Sequence, residues 1–122
     1  VEFGRIAVAL GFFASGIASA GEKYVCVEFD RATGDLKNST VVLQQTGRGE
    51  IREGKPMGFS LEKFIGAEIV QDLGVQGTVL TEDVSFLFKS ADQKVKFHIY
   101  LDEMDQSSLT VNGAARGDYI CR

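Results

Sequence analysis

Apolar and polar residues alternate along much of the chain. From Lys23 to Asp30, Val25, Val27 and Phe29 share one face and Tyr24, Cys26 and Glu28 the other. A period of two is that of a half-buried strand. Arg31–Asp35 reads as a turn, with Gly34 free to take positive φ. Ser39–Thr46 is rich in β-branched residues and predicts a second strand. Val75–Thr81 and Val84–Lys89 are two further short strands. The clearest alternation runs from Lys94 to Leu101: Val95, Phe97, Ile99 and Leu101 face one way, Lys94, Lys96, His98 and Tyr100 the other. Asp102–Gln106 predicts an acidic turn, Leu109–Val111 a short strand, Asn112-Gly113 a hairpin turn and Tyr119–Cys121 a closing strand.

One segment departs from this period. After a glycine-rich loop over Gly47–Gly58, Ser60 precedes Leu61, Phe64, Ile65, Ile69 and Leu73 at near-helical spacing, and Gly74 follows. Ser60 as N-cap and Gly74 beyond the end predict one amphipathic helix.

The first twenty residues have a different character. Arg5 is followed by an apolar run from Ile6 to Ile17, then Ala18-Ser19-Ala20 before the polar Gly21-Glu22-Lys23. A basic flank, an apolar segment and small residues three and one positions before a cut form the layout of a secretory signal peptide. The apolar run covers roughly 18 Å as a helix, short of a bilayer core of about 30 Å. This predicts a leader over 1–20, a single β-rich domain over 21–122 without a transmembrane span, and an exported product, periplasmic or extracellular.

Export gives the two cysteines a meaning. In an oxidising compartment Cys26 and Cys121 read as one disulfide, and two cysteines allow one pairing. A bridge needs Cα atoms within about 7 Å, so the first and last strands of the domain must be neighbours or face each other. The expected fold is therefore mainly β (α+β): a small antiparallel barrel or sandwich of six to seven short strands with one helix, its ends joined by a disulfide.

Charge narrows the partners. The chain carries 13 Lys+Arg against 17 Asp+Glu, a net charge of −4, with no basic run to track phosphates. No nucleic-acid partner is expected. Gly49–Lys55 matches the spacing of a phosphate-binding loop, but Pro56 stands where Ser or Thr is required, and Glu50 and Glu53 repel phosphate. No nucleotide, metal or other cofactor is expected. Arg116-Gly117-Asp118 matches an integrin-binding tripeptide and Asn38-Ser39-Thr40 a glycosylation acceptor. The only histidine, His98, lies among Lys96 and Tyr100, with no nucleophile that sequence places beside it.

The Tyr24-Val25-Cys26 opening, a β-rich body and a terminal Cys121 after Leu109–Gly113 resemble the layout of small bacterial periplasmic inhibitors of C-type lysozyme. The Ser-Gly-x-Arg/Lys-Tyr segment of those inhibitors is missing here, so no functional residue carries over. What the resemblance implies is an inhibitor-like binding role. The sequence thus predicts a non-catalytic exported protein that contacts a protein or envelope component. Its contact loops would carry Arg48, Arg52, Lys55, Asp102, Asp105 and Arg116, since scaffolded loops often carry function. The alternatives are a small secreted hydrolase using His98 and nearby carboxylates, and a structural envelope protein, which oligomerisation on a sizing column would distinguish.

Overall fold

The structure, a computed structural model, describes residues 21–100, 102–103 and 106–121. The expected leader over 1–20 and Asp105 lie outside the described residues. Eight strands follow in order: β1 (Lys23–Phe29), β2 (Leu36–Gln45), β3 (Met57–Ile65), β4 (Glu68–Glu82), β5 (Ser85–Ser90), β6 (Val95–Tyr100), β7 (Ser107–Val111) and β8 (Ala114–Cys121). Each pairs antiparallel with its sequence neighbours, and β1 pairs with β8, closing the sheet into an up-and-down barrel. Closure leaves no outer strand of the sheet unpaired.

The chain is all-β where a helix was expected. The segment from Ser60 to Leu73 forms the end of β3, a tight turn and the start of β4. Phe59, Leu61 and Lys63 point inward and are buried, whereas Ser60, Glu62 and Phe64 are half-exposed, a period of two. Ile65 pairs with Glu68 across Gly66-Ala67, and Gly66 has φ +62°. Positive φ at the first central position is the requirement of a type II′ hairpin turn, which glycine meets without strain. The helical spacing was produced by apolar residues from two strands. Their pairing is interrupted between Glu62 and Phe64, where β4 bulges and Leu73 turns fully inward. Asn112-Gly113 forms the expected hairpin, both residues at positive φ between Val111 and Ala114.

The interior is filled. Phe59, Phe88, Phe97 and Tyr119, with Leu43, Leu61, Leu73, Ile99 and Leu109, are fully buried side chains of one apolar cluster. In β1 it is the Tyr24–Cys26–Glu28 face that turns inward, leaving Val25 39% exposed. Tyr24 packs on Phe86 and Phe59, with ring centroids 5.1 and 6.4 Å apart. Cys26 and Cys121 stand directly opposite each other on β1 and β8, bonded, with Cα atoms 4.0 Å apart and both side chains buried. The disulfide therefore lies on the inner face of the seam that closes the barrel.

The barrel interior is apolar, whereas outer-membrane barrels have a polar interior. Among the described residues no helix is long and apolar enough to cross a membrane.

Candidate functional site

Alternating strand directions assign every connection to one of two ends. The β2–β3, β4–β5 and β6–β7 connections share one end with the start of β1 and the finish of β8. The turns 30–35, 66–67, 91–94 and 112–113 share the other. The first end gathers exposed Arg48, Arg52, Lys55 and Asp102. Arg116 does not join them: it is exposed at the opposite end, inside β8 and not in a turn. Its tripeptide partner Asp118 pairs with Arg31 at 3.4 Å. Asn38 is exposed on β2, while Ser39 beside it is buried.

The β2–β3 connection is long but tied down. The Gln45 side-chain amide donates to the carbonyls of Gly47 and Gly49, both at 3.0 Å, and its carbonyl oxygen accepts from the Glu22 N–H at 2.9 Å. Gly54 N–H donates to the Thr81 carbonyl at 2.8 Å, and the Asp83 N–H to Glu53 Oε2 at 2.7 Å. Ile51 is half-buried and packs on the core cluster. The loop thus bridges from β1 to the β4–β5 turn, held by an apolar anchor and bonds at both flanks. Between it and the start of β1 lies an open cleft of about 520 Å³ lined by Gly21, Glu22, Gln45, Gly49, Glu50 and Ile51. The residues that match a phosphate-binding loop are held as a bridge, with the Glu53 carboxylate engaged by backbone.

A second group of polar side chains lies inside the barrel near the other end. Lys63 Nζ is 3.6 Å from Glu28 Oε1 and 5.8 Å from the centre of the Tyr119 ring, and its side chain is only 10% exposed. Lys37 reaches Glu28 Oε2 at 3.6 Å from the surface. Burial pushes the Tyr119 hydroxyl pKa up and the Glu28 charge adds to this, while nearby Lys63 and Ser39 draw it down. The Tyr119 and Ser39 hydroxyls nevertheless lack a well-aligned hydrogen-bond partner. No sequence period pointed to this cluster, because Lys63 occupies a position whose parity belongs to the core.

His98 faces outward on β6, its ring stacked against Tyr100 with centroids 4.1 Å apart. Partial burial lowers its pKa below the ordinary histidine value. Ser108 stands directly opposite on β7, but no hydrogen bond between the two side chains is present, and neither cross-strand neighbour of His98, Leu87 or Ser108, is an acid. A nucleophile–base pair needs hydrogen-bond reach and a third group to orient the base. Among the described residues no group of three or more His, Cys, Asp or Glu is placed to hold a metal ion.

No family model, curated protein or solved structure matches this chain.

Proposed function

We propose that the chain is a small exported binding protein, inhibitor-like and non-catalytic, that contacts a protein or envelope partner through the loop end of its barrel. The observation that carries this is the tied-down β2–β3 connection. A loop of its length left free would pay ordering entropy on binding, and pre-organisation removes much of that cost. Here the Gln45 and Glu53 hydrogen bonds and the Ile51 anchor meet it during folding, and Arg48, Arg52 and Lys55 project from the fixed loop. Buried apolar side chains of one cluster line the barrel interior, as in eight-stranded barrels whose interior is filled by side chains. Export rests on the leader-like residues 1–20 and agrees with the intramolecular disulfide.

The test is capture of a partner from the envelope or medium of the native host by the full exported chain. Replacing Arg48, Arg52 and Lys55 together by Ala is expected to abolish capture without shifting thermal unfolding, because all three side chains are exposed. Capture that survives the triple substitution contradicts the loop-end reading. His98→Ala separates this reading from the hydrolase alternative. It is expected to leave partner capture unchanged, and a turnover present in the parent but lost in this variant would make the chain an enzyme.

A further inference from the structure

We propose that the outward face of the β5–β6 hairpin binds an anionic glycan, with Lys89 and Lys96 engaging its sulfate or phosphate groups and Tyr100 packing against a sugar ring. This surface lies on the barrel wall and does not rest on the loop-end reading.

Four residues form one row across the wall: Thr78 on β4 pairs with Lys89 on β5, Lys89 with Lys96 on β6, and Lys96 with Thr110 on β7. Neighbouring strands lie about 4.8 Å apart, so the two lysine stems rise side by side. Like charges directly opposite on adjacent strands are destabilising, and the carboxylate of the adjoining turn, Asp92, is engaged by Ser90 Oγ and the Lys94 N–H. The cross-strand partners are Thr78 and Thr110. Outward-facing diagonal neighbours are Gln76, Leu80, Leu87, Lys94, His98 and Ser108, none of them acidic. Both lysines are exposed, and neither forms an ion pair or hydrogen bond with a described residue. A protein of net charge −4 thus keeps two unneutralised cations together, flanked by two hydroxyls. An anion bridging both ammonium groups relieves the repulsion.

The surroundings fix the class of anion. An open depression of about 390 Å³ adjoins Lys89, lined also by Gln76, Gly77, Thr78, Ala91 and Gln93, with more of its wall apolar than polar. Four residues along β6 from Lys96, about 13 Å at strand rise, Tyr100 is 36% exposed while its other face stacks on His98. An exposed ring about 13 Å along the wall from paired cations suits a polymer carrying both sugar C–H groups and repeating anions. An acidic peptide fits less well. Strands β5 and β6 are paired on both sides, which leaves no backbone edge for a peptide to extend. The hairpin is also rigid. Ser90 Oγ donates to Asp92 Oδ1 at 2.6 Å and accepts from the Val95 N–H at 3.0 Å, and the Lys94 N–H donates to the same Asp92 oxygen at 3.0 Å.

The experiment measures binding of the full chain to dextran sulfate, unsulfated dextran and poly-glutamate at several salt concentrations, with thermal unfolding alongside. Binding to dextran sulfate and not to dextran is expected. Lys96→Glu is expected to lose at least about tenfold in affinity, roughly one decade of Kd, while unfolding at a higher temperature, because an opposite-charge pair replaces a like-charge one. The Lys89→Gln, Lys96→Gln double variant is expected to lower the slope of log affinity against log salt by about two. Tyr100→Ser is expected to weaken dextran sulfate binding, and Lys23→Gln, at an exposed position of β1 on another part of the barrel, to leave it unchanged. The proposal is overturned if Lys96→Glu binds as the parent does, or if Lys23→Gln loses as much, which would make the effect one of net charge. It is also overturned if poly-glutamate binds as tightly as dextran sulfate, which would make the surface a reader of acidic peptides. Loss of partner capture in the loop variant, with dextran sulfate binding intact, separates the two surfaces.

Discussion

Reducing the Cys26–Cys121 bridge is expected to destabilise the protein by about 4–5 kcal/mol. The bridge joins residues 95 apart in sequence, and in the chain-entropy model a loop near that length restricts the unfolded chain by this amount. Total stabilities of 5–15 kcal/mol are usual for single domains, so roughly a third or more of the fold's margin depends on one covalent bond. For about a hundred residues this corresponds to a fall of some 20 °C in unfolding temperature. The position of the bridge adds a spatial signature. Both cysteines are on the inner face of the β1–β8 seam, so amide exchange is expected to rise first in β1 and β8 when the bridge is opened. Thermal unfolding with and without reductant measures the first effect. An unchanged midpoint would show that the barrel stays closed by its backbone and core alone.

The Glu28→Gln substitution is expected to cost about 3–5 kcal/mol, the typical loss when one partner of a buried ion pair is removed and the other stays charged. Lys63 is held inside by Glu28 at 3.6 Å and by the Tyr119 ring, and little of its side chain reaches solvent. Lys37 is half-exposed and regains water when Glu28 is neutralised, so the penalty falls on Lys63. Replacing both members together, Glu28→Leu with Lys63→Met, is expected to recover most of the loss, since apolar side chains of similar volume often equal or exceed a buried pair. Urea unfolding of the single and double variants makes the comparison. If Glu28→Gln costs no more than a surface change, about 0.5 kcal/mol, Lys63 is solvated and the pair is not a support of the barrel.

That pair also explains where the sequence misled. Strand β6 was legible because Val95, Phe97 and Ile99 are all apolar and all inward. The inward set of β3 is Phe59, Leu61 and Lys63. A lysine at the third position hides the alternation, and Phe64 and Ile65 then align with Leu61 at helical spacing. Gly66 falls inside the expected helix, and its positive φ makes the turn that replaces it. The nearness of the first and last strands was legible from the cysteines, because a disulfide brings its ends together, but it allowed a barrel or a sandwich, and the β1–β8 pairing makes it a barrel. Loop placement was not. In an up-and-down barrel each connection's end is set by counting strands, so missing the β3–β4 hairpin leaves later turns unassigned. With eight strands counted, Arg48, Arg52, Lys55 and Asp102 meet at one end, and Arg116 falls at the other. The Lys89–Lys96 pair needed the β5–β6 register, which composition does not contain.

In the proposed reading the tied-down loop end of the barrel does the binding. The measurement that tests it most directly is calorimetric titration of the captured partner into the parent chain, the Arg48→Ala, Arg52→Ala, Lys55→Ala variant and Lys96→Glu. The account predicts that the loop variant loses measurable binding while Lys96→Glu keeps the parent affinity. Equal affinity for the parent and the loop variant would contradict it.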